Sequence, residues 1–452
     1  LNKCQKSKKL KTRFYLNKIN KVLALQFFQI FRFGILLLIS IVFTKTNLSL
    51  GQIGIYETFL LIAGSVSFFW IGAMQQTLLA TYAENKTFGK TTEKSPVLFN
   101  ISVLFTAFSI LSAVFVFLLQ PVISGMFSIH GGQIPYMKIL FLYIIFSGPV
   151  NLVEYAYLLL DKPLRIIYFG VLTFTLQLFC VTLPIIIGFD LGYGLYGLVL
   201  VNILRFIWLG FIILKYSKIQ LSVKFIQEFL ILSAPLVTSF LLSGSAQYID
   251  GFIISYKFDE ATLAIFRYGA REVPVYVLLI NAFGNAMTPS FAIKDNLKQS
   301  LTELKKGTEN LMNWMFPTAF FLIISSKYLF PLVFNKNFIE SAFVFNIYLL
   351  ILITRFIFSR IILIGFKDTK PILYSSIVEI IINVALSFAL INLWGIYGVA
   401  FATFVSYVIE KIILITILNK KYNILLGQYV NVKKLYLFSA ILLICWIIGW
   451  YI

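Results

Sequence analysis

The chain has 452 residues, of which 60% are hydrophobic and 12% charged, with a mean hydropathy of +0.90 and a formal net charge of +20. A soluble core has no use for so much apolar surface, and the connections are too short to build a soluble catalytic head. The basic residues crowd into alternate loops, so the charge reports topology and contact with anionic headgroups, not a nucleic-acid-binding face.

A hydrocarbon core about 30 Å thick needs roughly 20 apolar residues per helix. Spans are predicted near 22–44, 56–80, 97–119, 137–160, 164–188, 193–214, 228–252, 262–290, 311–334, 341–365, 371–393 and 396–418, with a shorter thirteenth over 435–452. The fold class is all-α, a polytopic membrane protein of about 12–13 transmembrane helices. The first span follows a basic tail as a signal peptide would, but it is too long and no small-residue cleavage site follows it. Lysines and arginines cluster in the tail over residues 1–21, around Lys86, Lys90 and Lys94, and at Lys162 and Arg165. They recur at Lys215, Lys218 and Lys224, at Lys294, Lys298, Lys305 and Lys306, at Lys367 and Lys370, and at Lys420, Lys421, Lys433 and Lys434. The intervening loops hold few. A cytoplasmic N-terminus follows, with the end of the thirteenth span outside. Between lysines, Leu297, Leu301 and Leu304 predict an amphipathic helix on the inner surface over 293–310.

The chain repeats itself. Gly194-Leu195-Tyr196-Gly197 precedes the sixth span and Gly395-Ile396-Tyr397-Gly398 the twelfth; Lys162-Pro163 opens the fifth and Lys370-Pro371 the eleventh. Gly54-Ile55-Tyr56 has its counterpart in Ala264-Ile265-Phe266, and all three offsets fall near 200–210 residues. Each match joins spans of one orientation, which predicts two six-helix halves in parallel repeat. The predicted lobes are 22–214 and 228–418, joined by a linker at 215–227 and followed by a basic loop and extra helix at 419–452.

A charge at mid-membrane costs about 2.5–3.5 kcal/mol on insertion scales, so each one is a functional candidate. Arg32 lies in the middle of the first span, after Gln26 and Gln29. Glu154 shares a face of the fourth with Ser147 and Asn151, and Arg205 follows Asn202 in the sixth. The seventh carries Ser243, Gln247 and Asp250; the eighth carries Arg267, Arg271, Pro274, Asn281 and Asn285. Arg355 and Arg360 lie in the tenth, Glu379 and Asn383 on one face of the eleventh. By depth, Asp250 can neutralise Arg267, and Arg360 can neutralise Glu379, so each pair is either a structural bridge or part of an ion path. Arg32, Arg205, Arg271 and Arg355 have no partner across their own hairpins, although Glu272 adjoins Arg271. Such an excess of buried guanidinium favours an anionic guest. Pro149, Pro235 and Pro274 mark expected bends. Cys4, Cys180 and Cys445 have no metal-ligand spacing, and His130 stands alone, so no metal or cofactor is expected.

The chain resembles the multidrug/oligosaccharidyl-lipid/polysaccharide exporter superfamily, in its oligosaccharide flippase (Wzx-like) branch, over residues 20–420. The resemblance is carried by Arg32-Phe33-Gly34, by Leu50-Gly51-Gln52-Ile53-Gly54-Ile55-Tyr56, by Gly72-Ala73, by Asp250 with Ile265-Phe266 to Tyr268, and by Pro289. Its longest piece runs from Asn383 to Gly398-Val399-Ala400-Phe401-Ala402-Thr403. At its end the chain departs from the family, where twelve or fourteen spans are usual, so the final helix is expected to be truncated or interfacial.

The resemblance implies two lobes around a cavity that opens alternately to each side of the bacterial inner membrane. The cargo would be a polyprenyl-pyrophosphate-linked oligosaccharide, an O-antigen or other surface polysaccharide unit, moved to the outer leaflet without catalysis. Arg32 sits where such flippases place a cationic residue. Arg205, Arg271 and Arg355 are assigned to the substrate from their burial and missing partners. Glu154, Asp250 and Glu379 are acids able to exchange a proton or sodium, with Arg267, Arg360 and Asn383 beside them. Implied partners are membrane lipids and, in the same process, a polysaccharide polymerase and chain-length machinery. Three rivals remain: a multidrug or small-molecule exporter of the same superfamily, which would want a more acidic or aromatic cavity, a peptidoglycan-precursor flippase, and a membrane glycosyltransferase or polymerase. The last would want acidic residues in a large external loop that this chain lacks.

Overall fold

A computed structural model describes residues 21–82, 94–126, 134–291 and 297–451, so the tail, His130 and residues 292–296 lie outside it. Among the described residues every regular element is a helix. Eleven of the described helices are long and apolar enough to cross a membrane, or 12 if the bent pair at the second span counts as one.

The chain divides into two compact units. The first holds the described residues of Leu1–Leu48, Ile62–Ile123 and Gln133–Leu241; the second holds those of Ser49–Leu61, Ser124–Gly132 and Leu242–Ile452. In the first unit α1 (Lys21–Thr44) lies beside α8 (Pro163–Ile186), with Phe28 stacked 6.2 Å from Phe169. The helix α9 (Leu191–Tyr216) begins at Asp190, whose carboxylate accepts from the Gly192 amide at 3.1 Å and from the Tyr136 hydroxyl at 2.5 Å. These bonds satisfy orphan donors at the helix start and hold the Asp190 carboxyl below its usual range, the Tyr136 bond foremost. Pro149 sits just before the break between α6 (Met137–Val150) and α7 (Val153–Leu159), where Asn151 turns its amide back to the Ser147 carbonyl at 2.7 Å.

The second span is split into α2 (Leu50–Ser65) and α3 (Phe68–Tyr82), bent by 47°. Residues 50–61 of α2 belong to the second unit, where Gly54 permits a close approach: a Cβ there would run into the backbone at Glu260. Still in the second unit, α18 (Lys370–Trp394) and α19 (Ile396–Tyr422) form a close hairpin. Gly395, at φ +58, makes the turn that L side chains rarely adopt. The repeated Gly-x-Tyr-Gly motif has a physical cause in both units. A methyl on Gly197 would strike the Cys180 carbonyl, and one on Gly398 the Leu390 carbonyl.

Three expectations are corrected. The eighth span, expected over 262–290, is two helices, α12 (Glu260–Gly269) and α13 (Pro274–Met287), neither long enough to cross alone. Pro274 disfavours helical backbone at Val273, which is extended, so the chain unwinds around Arg271 and Glu272. The stretch expected as a separate surface helix is continuous with the ninth span in the 37-residue α14 (Leu297–Val333). Its Leu301 and Leu304 are buried within the protein, so its apolar face has a protein partner instead of lipid. The tenth span breaks after α15 (Ile339–Leu350) and α16 (Leu352–Arg355) and resumes as α17 (Ser359–Gly365). After the short α20 (Leu426–Tyr429), the last helix, α21 (Val432–Tyr451), is long and apolar enough over Val432–Trp450 to cross a membrane.

Candidate functional site

In the second unit most of the intramembrane arginines are claimed by carboxylates, but not by those the hairpins suggested. Glu57 on α2, 2% exposed, accepts from Arg267 Nε at 2.7 Å and from Arg271 Nη2 at 3.0 Å. Arg271 Nε also donates to the Arg267 carbonyl at 3.1 Å, covering an acceptor near the open end of α12. Arg355 closes its Nε–Nη2 edge on both oxygens of Glu272. Arg360 Nη2 donates to Ser376 Oγ at 2.9 Å and to Glu410 Oε1 at 2.9 Å, while Lys411 Nζ holds the other Glu410 oxygen at 2.9 Å.

The expected pairs Asp250–Arg267 and Arg360–Glu379 are therefore not formed, and Arg271 and Arg355 are not without partners. Hairpin depth cannot reveal a partner on a different element, and Glu57 and Glu410 sit on helices that are not neighbours in sequence. Glu57, Glu410 and Lys411 escaped the sequence reading. Glu57 stands second in its predicted span, directly after the motif that ends at Tyr56, and Glu410 and Lys411 lie toward the basic end of theirs. The available signal was the same as for the others, a charge inside an apolar run.

Asp250, on α11 (Ala246–Lys257), is fully buried, and among the described residues no cationic side chain pairs with it. Its Oδ2 accepts from Tyr348 at 2.8 Å and from Thr403 at 2.5 Å, and Asn383 Nδ2 donates to Thr403 Oγ1 at 2.9 Å. Asp250 Oδ1, Asn383 Oδ1 and Ser387 Oγ are buried oxygens with no hydrogen-bond partner. Asp250, Tyr348, Thr403 and Asn383, from α11, α15, α19 and α18, thus join a carboxylate, an amide and hydroxyls in one hydrogen-bonded chain, and Ser387 lies one helical turn from Asn383 on α18. Such an oxygen set suits a small hard cation. Among the described residues no group of three or more His, Cys, Asp or Glu could hold a metal.

In the first unit the structure brings Arg32 and Arg205 within electrostatic reach of each other and of both Glu154 and Tyr143. Glu154 is 3% and Arg205 7% exposed, yet no ion pair joins them. Asn202 Oδ1 lies 3.5 Å from Arg205 Nη1, at the limit of a hydrogen bond, and the Phe174 ring centroid lies 4.4 Å from the guanidinium carbon. Arg205 Nε and Nη2 are buried and have no acceptor among the described residues. These two nitrogens form the fork edge that Arg355 uses to grip a carboxylate. A buried, unfilled fork is costly unless an oxyanion fills it, and carboxylate and phosphate oxygens match its geometry.

A family model described as polysaccharide biosynthesis protein matches residues 85–344, and a second with the same description matches residues 305–449. No curated protein matches the chain by sequence. Among solved structures the chain is similar to one titled lipid II flippase MurJ, inward closed conformation, at 17% identity and a TM-score of 0.67, covering 95% of this chain and 91% of that one. It is also similar to an inward-facing multidrug resistance MATE family transporter of the MOP superfamily, at 13% identity and a TM-score of 0.58, covering 84% and 92%. A third is a MOP superfamily transporter from Pyrococcus furiosus whose title describes a binding pocket of reverse polarity, at 12% identity and a TM-score of 0.53, covering 87% and 93%. At these identities the likeness is one of fold.

Proposed function

The chain belongs to the polysaccharide biosynthesis protein family, and from that premise we propose that it is a MOP-superfamily flippase for a polyprenyl-pyrophosphate-linked oligosaccharide, working by alternating access. The observation that carries this reading is the empty fork of Arg205, buried beside Arg32. A cargo whose head is a pyrophosphate supplies the oxyanion that the fork lacks, and Arg32 adds a second positive charge. Arg271 and Arg355, already held by acids, can join only by releasing Glu57 and Glu272. We assign them to the route of the cargo and not to its tightest contact.

Movement is coupled, in this reading, to sodium at Asp250, Asn383, Ser387 and Thr403. A proton would need one oxygen only, whereas the amide and hydroxyl oxygens there are left without donors and suit a cation with several oxygen ligands. Glu154 is the corresponding acid of the first unit and balances Arg32 and Arg205 when no cargo is present. The alternating lysine pattern supports a cytoplasmic tail and a place in the bacterial inner membrane, beside the polymerase and chain-length machinery that use the exported unit.

The test is deletion of the gene, followed by locating the lipid-linked oligosaccharide. Accumulation on the cytoplasmic leaflet is expected. A second reading, a flippase for a peptidoglycan precursor, is favoured by the likeness to the lipid II flippase, and under it that precursor accumulates instead.

A further inference from the structure

The second unit holds a buried acid that no contact explains. Glu379 on α18 is 3% exposed, and neither Arg360 nor Lys411 bonds it, although Arg355, Arg360, Lys411 and Glu410 all lie within its electrostatic reach. It belongs to a stripe at helical spacing, Ser376, Glu379, Asn383 and Ser387, each no more than 3% exposed. Eleven residues of helix cover about 16 Å. On α19 a second stripe carries Thr403, Ser406, Tyr407 and Glu410, and the two helices pack directly against each other. Small serines explain close packing; a buried carboxylate without a bonded cation does not serve packing and opposes folding.

At the end of this seam nearest Lys370, both oxygens of Glu410 are already taken, one by Arg360 and the other by Lys411. Glu410 cannot accept a mobile cation while both remain. Two fixed positive charges there repel any cation passing along the seam. One turn from Asn383, Glu379 is the acid that this clamp leaves open.

We propose that Glu379 is a transit station for the coupling cation between the Asp250 site and the face that carries Lys367 and Lys370, with Arg360, Glu410 and Lys411 as the barrier that limits leak. The cation leaves the Asp250 oxygens, pauses at Glu379 and passes the clamp only when a cation of the clamp shifts off Glu410. This rests on the sodium reading of the Asp250 site. It makes Glu379 a kinetic element: it sets how fast sodium exchanges, not how tightly it is held.

The experiment measures equilibrium binding and exchange of radioactive sodium on the full chain in lipid nanodiscs, for wild type, Asp250→Asn, Glu379→Gln, Glu379→Asp and Lys411→Met. Glu379→Gln is expected to keep the sodium Kd within about twofold while exchange slows about tenfold or more. Glu379→Asp, which keeps the charge, should recover much of the rate, and Lys411→Met should exceed wild type. Wild-type exchange in Glu379→Gln, with binding lost in Asp250→Asn, overturns the station and leaves the Asp250 site standing. Loss of equilibrium binding in Glu379→Gln also overturns it, since Glu379 would then be a ligand. Sodium binding that survives Asp250→Asn overturns the underlying coupling site itself.

Discussion

Arg205 lies over the ring of Phe174, 4.4 Å from its centroid, with the Nε–Nη2 edge turned to no acceptor. The ring contributes on the order of 0.5–2 kcal/mol of cation–π attraction and accepts neither N–H in the plane of the guanidinium. Arg355, also over an aromatic ring at 5.5 Å from Tyr407, fills the same edge with Glu272. The two arginines share a stacking arrangement and differ in what occupies the fork. That difference separates an arginine already held by an acid from one whose fork is free to take a ligand.

Glu57 is expected to govern the stability of the second unit. Replacing it with Gln leaves Arg267 and Arg271 without their shared anion, and breaking a buried pair costs about 3–5 kcal/mol. Purified Glu57→Gln should unfold at a markedly lower temperature than wild type. Adding Arg267→Gln should recover part of the loss by removing one unpaired cation. Asp250→Asn combined with Arg267→Gln should show no such rescue, because those two residues do not touch.

The repeated glycines allow a sharp comparison. Gly197→Ala and Gly398→Ala push a methyl into a backbone carbonyl and should each destabilise by about 1–3 kcal/mol. Gly210→Ala meets nothing within 4 Å and should be neutral or stabilise by up to about 1 kcal/mol through helix propensity. Thermal unfolding of the three purified variants reads this directly.

The number and apolarity of the helices, the Gly-x-Tyr-Gly repeat and most of the intramembrane charges were legible because lipid imposes a one-dimensional rule on composition. Pairing was not. Arg267 and Arg360 bond acids on elements remote in sequence, and no periodicity records which helices become neighbours. The break at Ala270–Val273 was signalled by Pro274 but hidden by the apolar run around it. Arg205 and Asp250 could be picked out as costly residues; that Arg205 lacks an acceptor and that Asp250 lacks a cation are facts of three-dimensional packing.

Orientation follows the lysines. In a background without cysteines, single cysteines at Lys9 and at the exposed Gln299 should resist a membrane-impermeant thiol reagent in intact cells and react once the membrane is opened. Labelling of either in intact cells reverses the topology.

Thr403 links the two side chains at the proposed coupling site, donating to Asp250 at 2.5 Å and accepting from Asn383 at 2.9 Å. Thr403→Val keeps the shape and removes both bonds, which at about 1–3 kcal/mol should raise the half-saturating sodium concentration about tenfold. The reading is sodium-dependent transport at a series of sodium concentrations.

The most direct test uses purified protein in sealed proteoliposomes loaded with a labelled polyprenyl-pyrophosphate oligosaccharide, scoring the fraction that crosses to the opposite leaflet by its access to an added glycosidase. Wild type should move the lipid in a sodium gradient. Arg205→Gln at matched protein levels should lose about tenfold or more, as expected for a charge-assisted contact, and Arg205→Lys should retain an intermediate rate because it keeps the charge but not the fork. Movement by Arg205→Gln at the wild-type rate would contradict the account, and so would a wild-type protein that leaves the lipid where it was loaded.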